Sequence, residues 1–389
     1  MSAARSVSLG IWVEHGGAHD ADSEQGLAHL LEHMVFKGTR RRSAHQIALE
    51  VERVGGSLDA YTSHDHTGYL ARVPMAYAEL AIDVLADLVF DPALRAEDLE
   101  LERPVILEEI AALEDSPEQL VFELQGRQLY GDHPYGRSIL GAAHTVAEVE
   151  VGALGALHSC AYVPGNCVVA AAGRLDGDRL LEMLQRHLPD PGIPRREEVP
   201  PLDGRLGGVE VVERPGGRQS HLLAGALSIP HSHPLRYALI LVETALGAGM
   251  SSRLFQRIRE ELGLAYSVYT FHSFYRSAGH VGAYVGTRPE TSGQACDALL
   301  AEFRDVAENG LTAVEIESTK RQLRGQLLLG LESTASRMQR LAGVMLYRER
   351  YMTVDELAER IESITVDEIH EAAAFFHPDR VAVLELRPA

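Results

Sequence analysis

The chain has 389 residues, which exceeds the size at which one hydrophobic core keeps growing, so two domains are expected. Apolar residues make up 46% and charged residues 24%, the proportions of a globular protein. The net charge of -20 argues against a nucleic-acid partner because phosphate binding depends on clustered Lys and Arg. The densest basic run, Arg40 to Arg42, is adequately explained as a solvated loop.

The cysteines and the beginning of the sequence indicate a cytoplasmic protein. Cys160, Cys167 and Cys296 cannot all pair and none lies in a CxxC arrangement, so we expect reduced thiols. The first residues, MSAARSVSLGIWVEHGG, lack the cationic lead and apolar stretch of a signal peptide. No run of about 18 apolar residues is present to span a membrane. A processed periplasmic form would have the same features.

The first half of the chain mixes strand and helix signals. In chain order these are a strand in SVSLGIWV, a helix over 24–37 ending at Gly38, a helix over 44–54, strands in SLDAYTS and HTGYLARV, and helices over 75–89 and 96–114.

The segment 188–208 contains five prolines and four glycines, which exclude a helix or a central strand. We therefore predict a domain over 1–190, a linker over 191–204 and a second domain over 205–389.

The second half repeats a similar order of elements. It begins with a strand in SHLLAGALSIP, followed by helices near 234–247 and 251–261, strands in AYSVYTFHSF and GHVGAYVGT, helices around 290–308, 312–346 and 354–375, and a last strand in RVAVLELR. The similar order predicts two copies of one unit in tandem. Each is expected to be α+β, an antiparallel-type sheet with helices packed on one face.

The helix GLAHLLEHMVFKGT carries the residues of greatest chemical interest. His29 and His33 are four residues apart, so both imidazoles project from one helix face and can bind one Zn²⁺. Glu32 lies on the same flank and can reach a water at the metal without being a ligand. Two structural histidines on an amphipathic helix are the alternative, although H-x-x-E-H is a known peptidase motif.

A zinc site that hydrolyses its substrate needs a third protein ligand and one open position. The predicted helix over 96–114 offers carboxylates. Glu102 and Glu109 are seven residues apart and share a helix face, whereas Glu108 points roughly 100° away. Spacing alone does not choose between these glutamates, and an acidic solvated face is the alternative.

HLLEHMVFKGT, followed some seventy residues later by ERPVILEEI, resembles the pitrilysin or insulinase-like zinc peptidases with an inverted HxxEH motif, especially the short bacterial and mitochondrial-processing-type members. The stretches GGSLDAYTSHDHTGYLARV, HPYGRSILG and YVPGNCVVAAAG agree with this resemblance. It implies a zinc metalloendopeptidase with one Zn²⁺ per chain. The implied ligands are His29, His33 and Glu109, with Glu32 as general base and Glu102 supporting the site.

The resemblance extends to the second half, which has no HxxEH of its own. In GAGMSSRLFQRIREELGLAYSV it assigns Arg259 and Tyr266 to substrate contacts, and both side chains can donate to an oxyanion or a peptide carbonyl. Without the resemblance they would be interpreted as a surface Arg and a core Tyr.

SLDAYTS resembles the family's edge strand, to which a peptide adds as an extra strand. The substrate-binding residues implied are Phe36, Asp59, Ala60 and Tyr61, although the family usually has Asn at the position of Asp59. The histidines at 64 and 66 are interpreted as a polar strand start and are given no ligand role.

Two departures from the family concern the fold. Relatives have a strand before SVSLGIWV, so the absence of an edge strand is expected here, and Pro104 removes a hydrogen bond inside a predicted helix.

Long relatives enclose their substrate with four such domains, so the resemblance implies a dimer. A homodimer is expected, with a heterodimer with a related subunit as the alternative. A non-catalytic subunit that binds or presents peptide, or a metal hydrolase with another substrate, are the alternative functions.

Overall fold

The computed structural model of the protein describes residues 4–193, 198–202 and 208–389. The chain forms two compact units. The first unit comprises Met1–Ala112, Arg137–Val199 and Gly330–Tyr351, and the second unit comprises Leu113–Gly136, Pro200–Leu329 and Met352–Ala389. Each unit thus includes one segment from the other half of the sequence. The predicted domain limits stay a prediction, and residues 194–197 and 203–204 of the predicted linker lie outside the described residues.

The described elements before the predicted linker include four strands and eight α-helices. In chain order they are β1 (Ser6–Val13), α1 (Leu27–Val35), α2 (Ala44–Glu52), β2 (Ser57–Thr62), β3 (Thr67–Pro74), α3 (Ala78–Phe90), α4 (Ala96–Glu114), α5 (Pro117–Tyr130), α6 (Ala143–Glu148), α7 (Val151–Ala161), β4 (Cys167–Gly173) and α8 (Gly177–His187).

The elements after the predicted linker repeat the same mixture. They are β5 (Val209–Arg214), β6 (Ser220–Ser228), α9 (Arg236–Gly247), a π-helix (Phe255–Glu261), β7 (Ala265–Phe274), β8 (Gly279–Thr287), α10 (Ser292–Asn309), α11 (Ala313–Gly330), α12 (Thr334–Leu346), α13 (Val354–Glu362), α14 (Val366–Ala373) and β9 (Ala382–Pro388).

The first unit is built on a four-stranded sheet in the order β2-β3-β1-β4, and all of its pairings are antiparallel. In β1, Gly10 pairs with Leu70 on one side and with Ala170 on the other. Alternate residues of β1 face a core formed with α1, α3 and α4, because side chains of a strand point to opposite faces in turn. This face of the sheet therefore supports the helix that carries the HLLEH motif.

A helix from the second half of the sequence covers the opposite face of this sheet. Met338, Ala342 and Leu346 of α12 follow one another at four-residue spacing and pack on Trp12 and on alanines of β4. The hydroxyl groups of Ser8 and Thr334 lie 2.9 Å apart in the same layer. Both faces of β1 are buried, so the expectation of helices on one face alone is incomplete.

The second unit has a five-stranded sheet in the order β5-β9-β6-β8-β7. β5 pairs in parallel with β9, and the remaining pairings are antiparallel. One face packs against α9, α10 and α14, and the other face is covered by α5 through a cluster that includes Val121 and Leu223. The predicted α+β class with two similar units is confirmed. The structure adds the parallel pair β5–β9 and a helix on the second face of each sheet.

Two predicted helices are each divided in the structure. The segment 312–346 forms α11 and α12, because Ser333 accepts a hydrogen bond from Ser336 N and begins a new helix. The segment 354–375 forms α13 and α14, where Thr365 and Glu368 make a capping box. In contrast, α4 is assigned as one helix across Pro104.

The arginine run after α1 differs from the solvated loop that we expected. Arg40 is mostly exposed, but the side chain of Arg42 is only 10% exposed and forms ion pairs with Asp83 and Asp87. Arg41 binds the same two carboxylates of α3. The loop that follows the metal-motif helix is therefore fixed to α3.

No helix among the described residues is long and apolar enough to cross a membrane. Cys160, Cys167 and Cys296 form no disulfide bond with one another.

Candidate metal centre

The helix α1 is held at its N-terminus by a buried carboxylate. Asp20 accepts hydrogen bonds from the backbone N–H of Gly26 at 2.9 Å and of Ala28 at 3.2 Å. These amides have no partner within the helix, and a negative charge is favourable at this end of the helix dipole. Gly26 has φ of +92°, and a Cβ there would lie 2.6 Å from the carbonyl oxygen of Leu140, so the turn into α1 requires glycine.

Two imidazoles of α1 and one carboxylate of α4 converge. The Nε2 atom of His29 lies 3.8 Å from Oε2 of Glu109, and the Nε2 atom of His33 lies 3.7 Å from the same oxygen. Donors about 2.1 Å from a tetrahedral zinc are roughly 3.4 Å apart, so only a small adjustment separates this arrangement from a metal site. The donor set of two imidazoles and one carboxylate fits zinc and leaves a fourth position open.

Glu102 is a buried residue of α4 that orients His33. Its Oε1 lies 2.9 Å from His33 Nδ1, and its Oε2 contacts the ammonium group of Lys37. A carboxylate at Nδ1 favours the tautomer in which Nε2 has a free lone pair. Glu102 therefore contacts His33 at Nδ1, whereas Glu109 lies near Nε2, the nitrogen that would bind the metal. Helical spacing alone had not distinguished these two roles.

His29 is more deeply buried than His33 and has a different environment. Burial, assisted by the neighbouring His33, lowers the pKa of His29 to about 4, so its imidazole is neutral at neutral pH and available as a ligand. Its Nδ1 atom is buried and has no hydrogen-bond partner among the described residues.

Glu32 lies beside the two histidines and is 9% exposed. The hydroxyl of Thr62, at the end of β2, donates a 2.5 Å hydrogen bond to its Oε2 atom. Burial raises the pKa of Glu32, while the hydrogen bond from Thr62 opposes that rise. A carboxylate whose pKa is raised by burial is better suited to accept a proton from water than an ordinary surface carboxylate.

The predicted substrate-binding residues lie on and beside an edge strand. β2 pairs only with β3 among the described strands, so one side of its backbone is unpaired there. Asp59 is exposed, and Ala60 faces the core together with the half-buried Phe36. The Tyr61 hydroxyl accepts a hydrogen bond from Trp12 Nε1 at 2.9 Å, so its side chain is held within the fold. Its backbone N–H and C=O are the groups that could contact a substrate.

Arg259 and Tyr266 belong to the second unit, where they contact each other. The guanidinium of Arg259 lies 4.6 Å from the ring centre of Tyr266 and 4.7 Å from that of Phe255. Its Nη1 atom donates to the Tyr266 carbonyl oxygen at 2.9 Å. The Tyr266 side chain is exposed rather than part of the core, so its phenol is free of the packing that a core Tyr would have.

Among the residues that the structure describes, His29, His33 and Glu109 form the one group of three metal-binding side chains. The helix α9, which follows the central strand β6 as α1 follows β1, contains neither His nor Cys. His64 and His66 belong to no such group among these residues.

Comparison with known proteins identifies the relatives of this chain. The profile described as insulinase (peptidase family M16) matches residues 1–143, and the profile described as the peptidase M16 inactive domain matches residues 149–323. A Mycobacterium tuberculosis protein named an uncharacterized zinc protease is 36% identical over 393 residues, which is 100% of this chain and 90% of the relative. A Bacillus subtilis protein of the same description is 32% identical over 99% of this chain and 94% of its own length. The chain belongs to the M16 peptidase family.

Solved structures show the same fold for this M16 chain. A crystal structure described as a peptidase M16 inactive domain from Pseudomonas fluorescens has a TM-score of 0.93 at 23% identity, over 100% of this chain and 94% of that one. A protease from Helicobacter pylori has a TM-score of 0.91 at 20% identity, over 99% and 95%. The predicted family resemblance is confirmed, and relatives named as zinc proteases support a peptidase-like function in general terms.

Three residues that shape the candidate metal centre were not identified from the sequence. Lys37 and Thr62 contact Glu102 and Glu32, and Asp20 holds the N-terminus of α1. The only available signal was at Lys37, which is one of two lysines in the chain. Thr62 and Asp20 are common residue types. Thr62 is 30 positions from its partner and Asp20 is 6 to 8 positions from its partners, and neither contact lies within one helix or strand.

Proposed function

We propose that the protein is a zinc-dependent metalloendopeptidase that hydrolyses peptides or unfolded segments. The observation that carries this proposal is the convergence of His29 Nε2, His33 Nε2 and the Glu109 carboxylate beside the buried Glu32. Two histidines and one glutamate are the ligand set of hydrolytic zinc sites, in which the fourth position serves water or substrate. Zinc, when bound, supplies the Lewis acidity that makes a water molecule more acidic and polarises a peptide carbonyl.

Glu32 is proposed as the general base and later the general acid. It would accept a proton from the attacking water and return it to the nitrogen of the leaving amine, so that no net charge accumulates on the protein. Thr62 fixes one carboxylate oxygen of Glu32, which leaves the other oxygen for this transfer. Glu102 keeps His33 in the tautomer that presents Nε2.

We further propose that substrate adds to the free edge of β2 as an extended strand. An unpaired strand edge offers main-chain donors and acceptors independently of the peptide's sequence. Backbone groups of Asp59, Ala60 and Tyr61 would then supply most of the binding, with Phe36 beside them. This mode fits unfolded segments, because a folded protein has few strands free to pair.

Arg259 and Tyr266 are proposed to contact the peptide substrate. A guanidinium and a phenol both donate hydrogen bonds to carbonyl oxygens or to a developing oxyanion. The exposed Tyr266 ring and the stacked Arg259 are accessible for such contacts. The proposed assembly is a homodimer.

Replacement of Glu32 by Gln tests the function directly. We expect Glu32→Gln to retain zinc, because Glu32 is no ligand, and to lose turnover by about 10²- to 10⁴-fold, the contribution of a general base. Bound zinc is measured by elemental analysis, and cleavage of a mixed-peptide library by mass spectrometry. An active Glu32→Gln protein would eliminate the proposal.

A matched pair on α4 serves as the control. Glu109→Gln is expected to lose zinc, whereas Glu108→Gln, at the neighbouring exposed position, is expected to keep both zinc and activity. If wild-type protein binds zinc but cleaves no peptide in the library, a non-catalytic peptide-binding subunit becomes the better assignment.

A further inference from the structure

Lys37 lies just beyond the C-terminal end of α1 and contacts the carboxylate behind the metal-binding face. Its ammonium group contacts Oε2 of Glu102, while Oε1 of the same carboxylate lies 2.9 Å from His33 Nδ1. The side chain of Glu102 is 6% exposed, and that of Lys37 is 34% exposed. A continuous chain of polar contacts therefore runs from Lys37 through Glu102 to His33.

The two oxygens of Glu102 have different partners, and this fixes the plane of the carboxylate. A carboxylate held at one oxygen alone can rotate about its last bond, and its partner imidazole can then turn with it. The ring of His33 must keep Nε2 directed toward Glu109, from which it is 3.7 Å away, for the three donors to share one ion. Restricting Glu102 thus restricts the ligand.

The alternative cation near Glu102 has other partners. Arg103, the next residue of α4, donates to the carbonyl oxygens of Val146 and Val149 and pairs with Glu100. Among the described residues, Lys37 is the one Lys or Arg within ion-pair distance of Glu102. Loss of the Lys37 ammonium group would leave this buried carboxylate without its cationic partner, so the contact also holds the Glu102 side chain in place.

We propose that Lys37 is a positioning residue of the metal centre, which acts through Glu102 to hold His33 in its metal-binding orientation. The inference rests on the proposed zinc site but not on the reaction. It predicts an effect on metal affinity that disappears when the Glu102 carboxylate is absent. A lysine with a purely structural role would act independently of Glu102.

A double-mutant cycle on zinc affinity tests the inference. The zinc dissociation constant is measured by competition with a chromogenic chelator for wild type, Lys37→Met, Glu102→Gln and the double variant. We expect Lys37→Met and Glu102→Gln each to weaken zinc binding about 10-fold or more, as outer contacts of ligating histidines do. The double variant is expected to bind zinc as Glu102→Gln does, because Lys37 then has no carboxylate to position.

The second lysine of the chain provides the matched control. Lys320 donates to the carbonyl oxygens of Glu362 and Ile364 at 2.7 Å each, in the second unit, so Lys320→Met is expected to leave zinc affinity unchanged. Lys37→Arg, which keeps the charge, is expected to restore most of the affinity lost in Lys37→Met. Thermal unfolding of each metal-free variant verifies that the compared proteins are folded.

Three outcomes overturn the inference while leaving the zinc site in place. They are unchanged affinity in Lys37→Met, equal losses in Lys37→Arg and Lys37→Met, and a double variant whose loss is the product of the two single losses. A wild-type protein that binds no zinc would instead overturn the proposed function.

Discussion

Two buried ionisable groups of α1 respond to burial in opposite directions, and both responses suit the proposed chemistry. Burial disfavours the charged form of any group, so it lowers the pKa of His29 to about 4 and raises the pKa of Glu32. The neutral imidazole can bind a metal, and the carboxylate becomes a better proton acceptor. Neighbouring positions on one helix thus obtain different roles from the same environment.

The hydrogen bond from Thr62 to Glu32 leads to a prediction at this scale. Thr62→Val keeps the side-chain shape but removes the donor at 2.5 Å, so Glu32 loses its fixed orientation. We expect kcat to fall by about 10-fold or more, since a hydrogen bond to a charged group contributes roughly 1.5–3 kcal/mol. Zinc content should be unchanged. Steady-state kinetics with a cleaved library peptide gives the result.

Thr62→Ser is the control for this prediction because it keeps the hydroxyl. It is expected to have nearly wild-type kcat. Equal rates for the Val and Ser variants would mean that the hydroxyl does not position Glu32.

At the scale of elements, the candidate metal centre depends on how the helix α1 is held in place. Asp20 holds the beginning of α1, and the arginine loop after it is bound to α3 through Asp83 and Asp87. α1 is therefore fixed at both ends. In the second unit, Arg253 has a comparable role, because it pairs with Glu315 of α11 and Asp305 of α10.

The Arg253 contact predicts a dependence of stability on pH. Its hydrogen bonds to Glu315 lower the pKa of that carboxyl from 4.5 to about 2. A carboxyl with a lowered pKa in the folded state stabilises the fold above its unfolded pKa and loses this contribution as the pH falls. We expect the free energy of unfolding to decrease between about pH 4.5 and pH 2, and Glu315→Gln to reduce the decrease.

Urea denaturation at several pH values measures this effect. Glu317→Gln is the matched control on α11, since Glu317 forms an exposed pair with Arg321 that contributes little. The same pH dependence in wild type and Glu315→Gln would contradict the prediction.

At the scale of the whole molecule, the two units share an order of elements but differ in chemistry. Each has antiparallel strands with one helix from the other half of the sequence on the second face of its sheet. Among the described residues, only the first unit has a group of metal-binding side chains. The second unit contributes Arg259 and Tyr266 to the proposed contacts with substrate.

Mixing two inactive variants tests whether the two chains of the proposed homodimer contribute residues to one site. Glu32→Gln and Arg259→Ala are each expected to be inactive alone. If Arg259 of one chain serves the zinc site of its partner, unfolding and refolding the two variants together restores part of the wild-type activity. Cleavage assays of the refolded mixture give the result, and sedimentation of wild type verifies the dimer. A dimer without recovery of activity would place each complete site in one chain.

The strands and the metal-motif helix follow closely from the sequence because their signals are local. The apolar run of β1 and the four-residue spacing of His29 and His33 are recognisable without knowledge of the fold. The divisions at Ser333 and Thr365 were missed because apolar periodicity continued across them, although both caps are recognisable residue types.

The sequence by itself determined the family, the fold class and the candidate pair of histidines with Glu32. Only the tertiary structure placed Glu109 in front of the imidazoles and Glu102 behind them, since seven residues of helix leave both on one face. It also brought Lys37, Thr62 and Asp20 to the site. Such contacts depend on how α4, β2 and the loops pack around α1, and packing between distant segments leaves no period in the sequence that could reveal it.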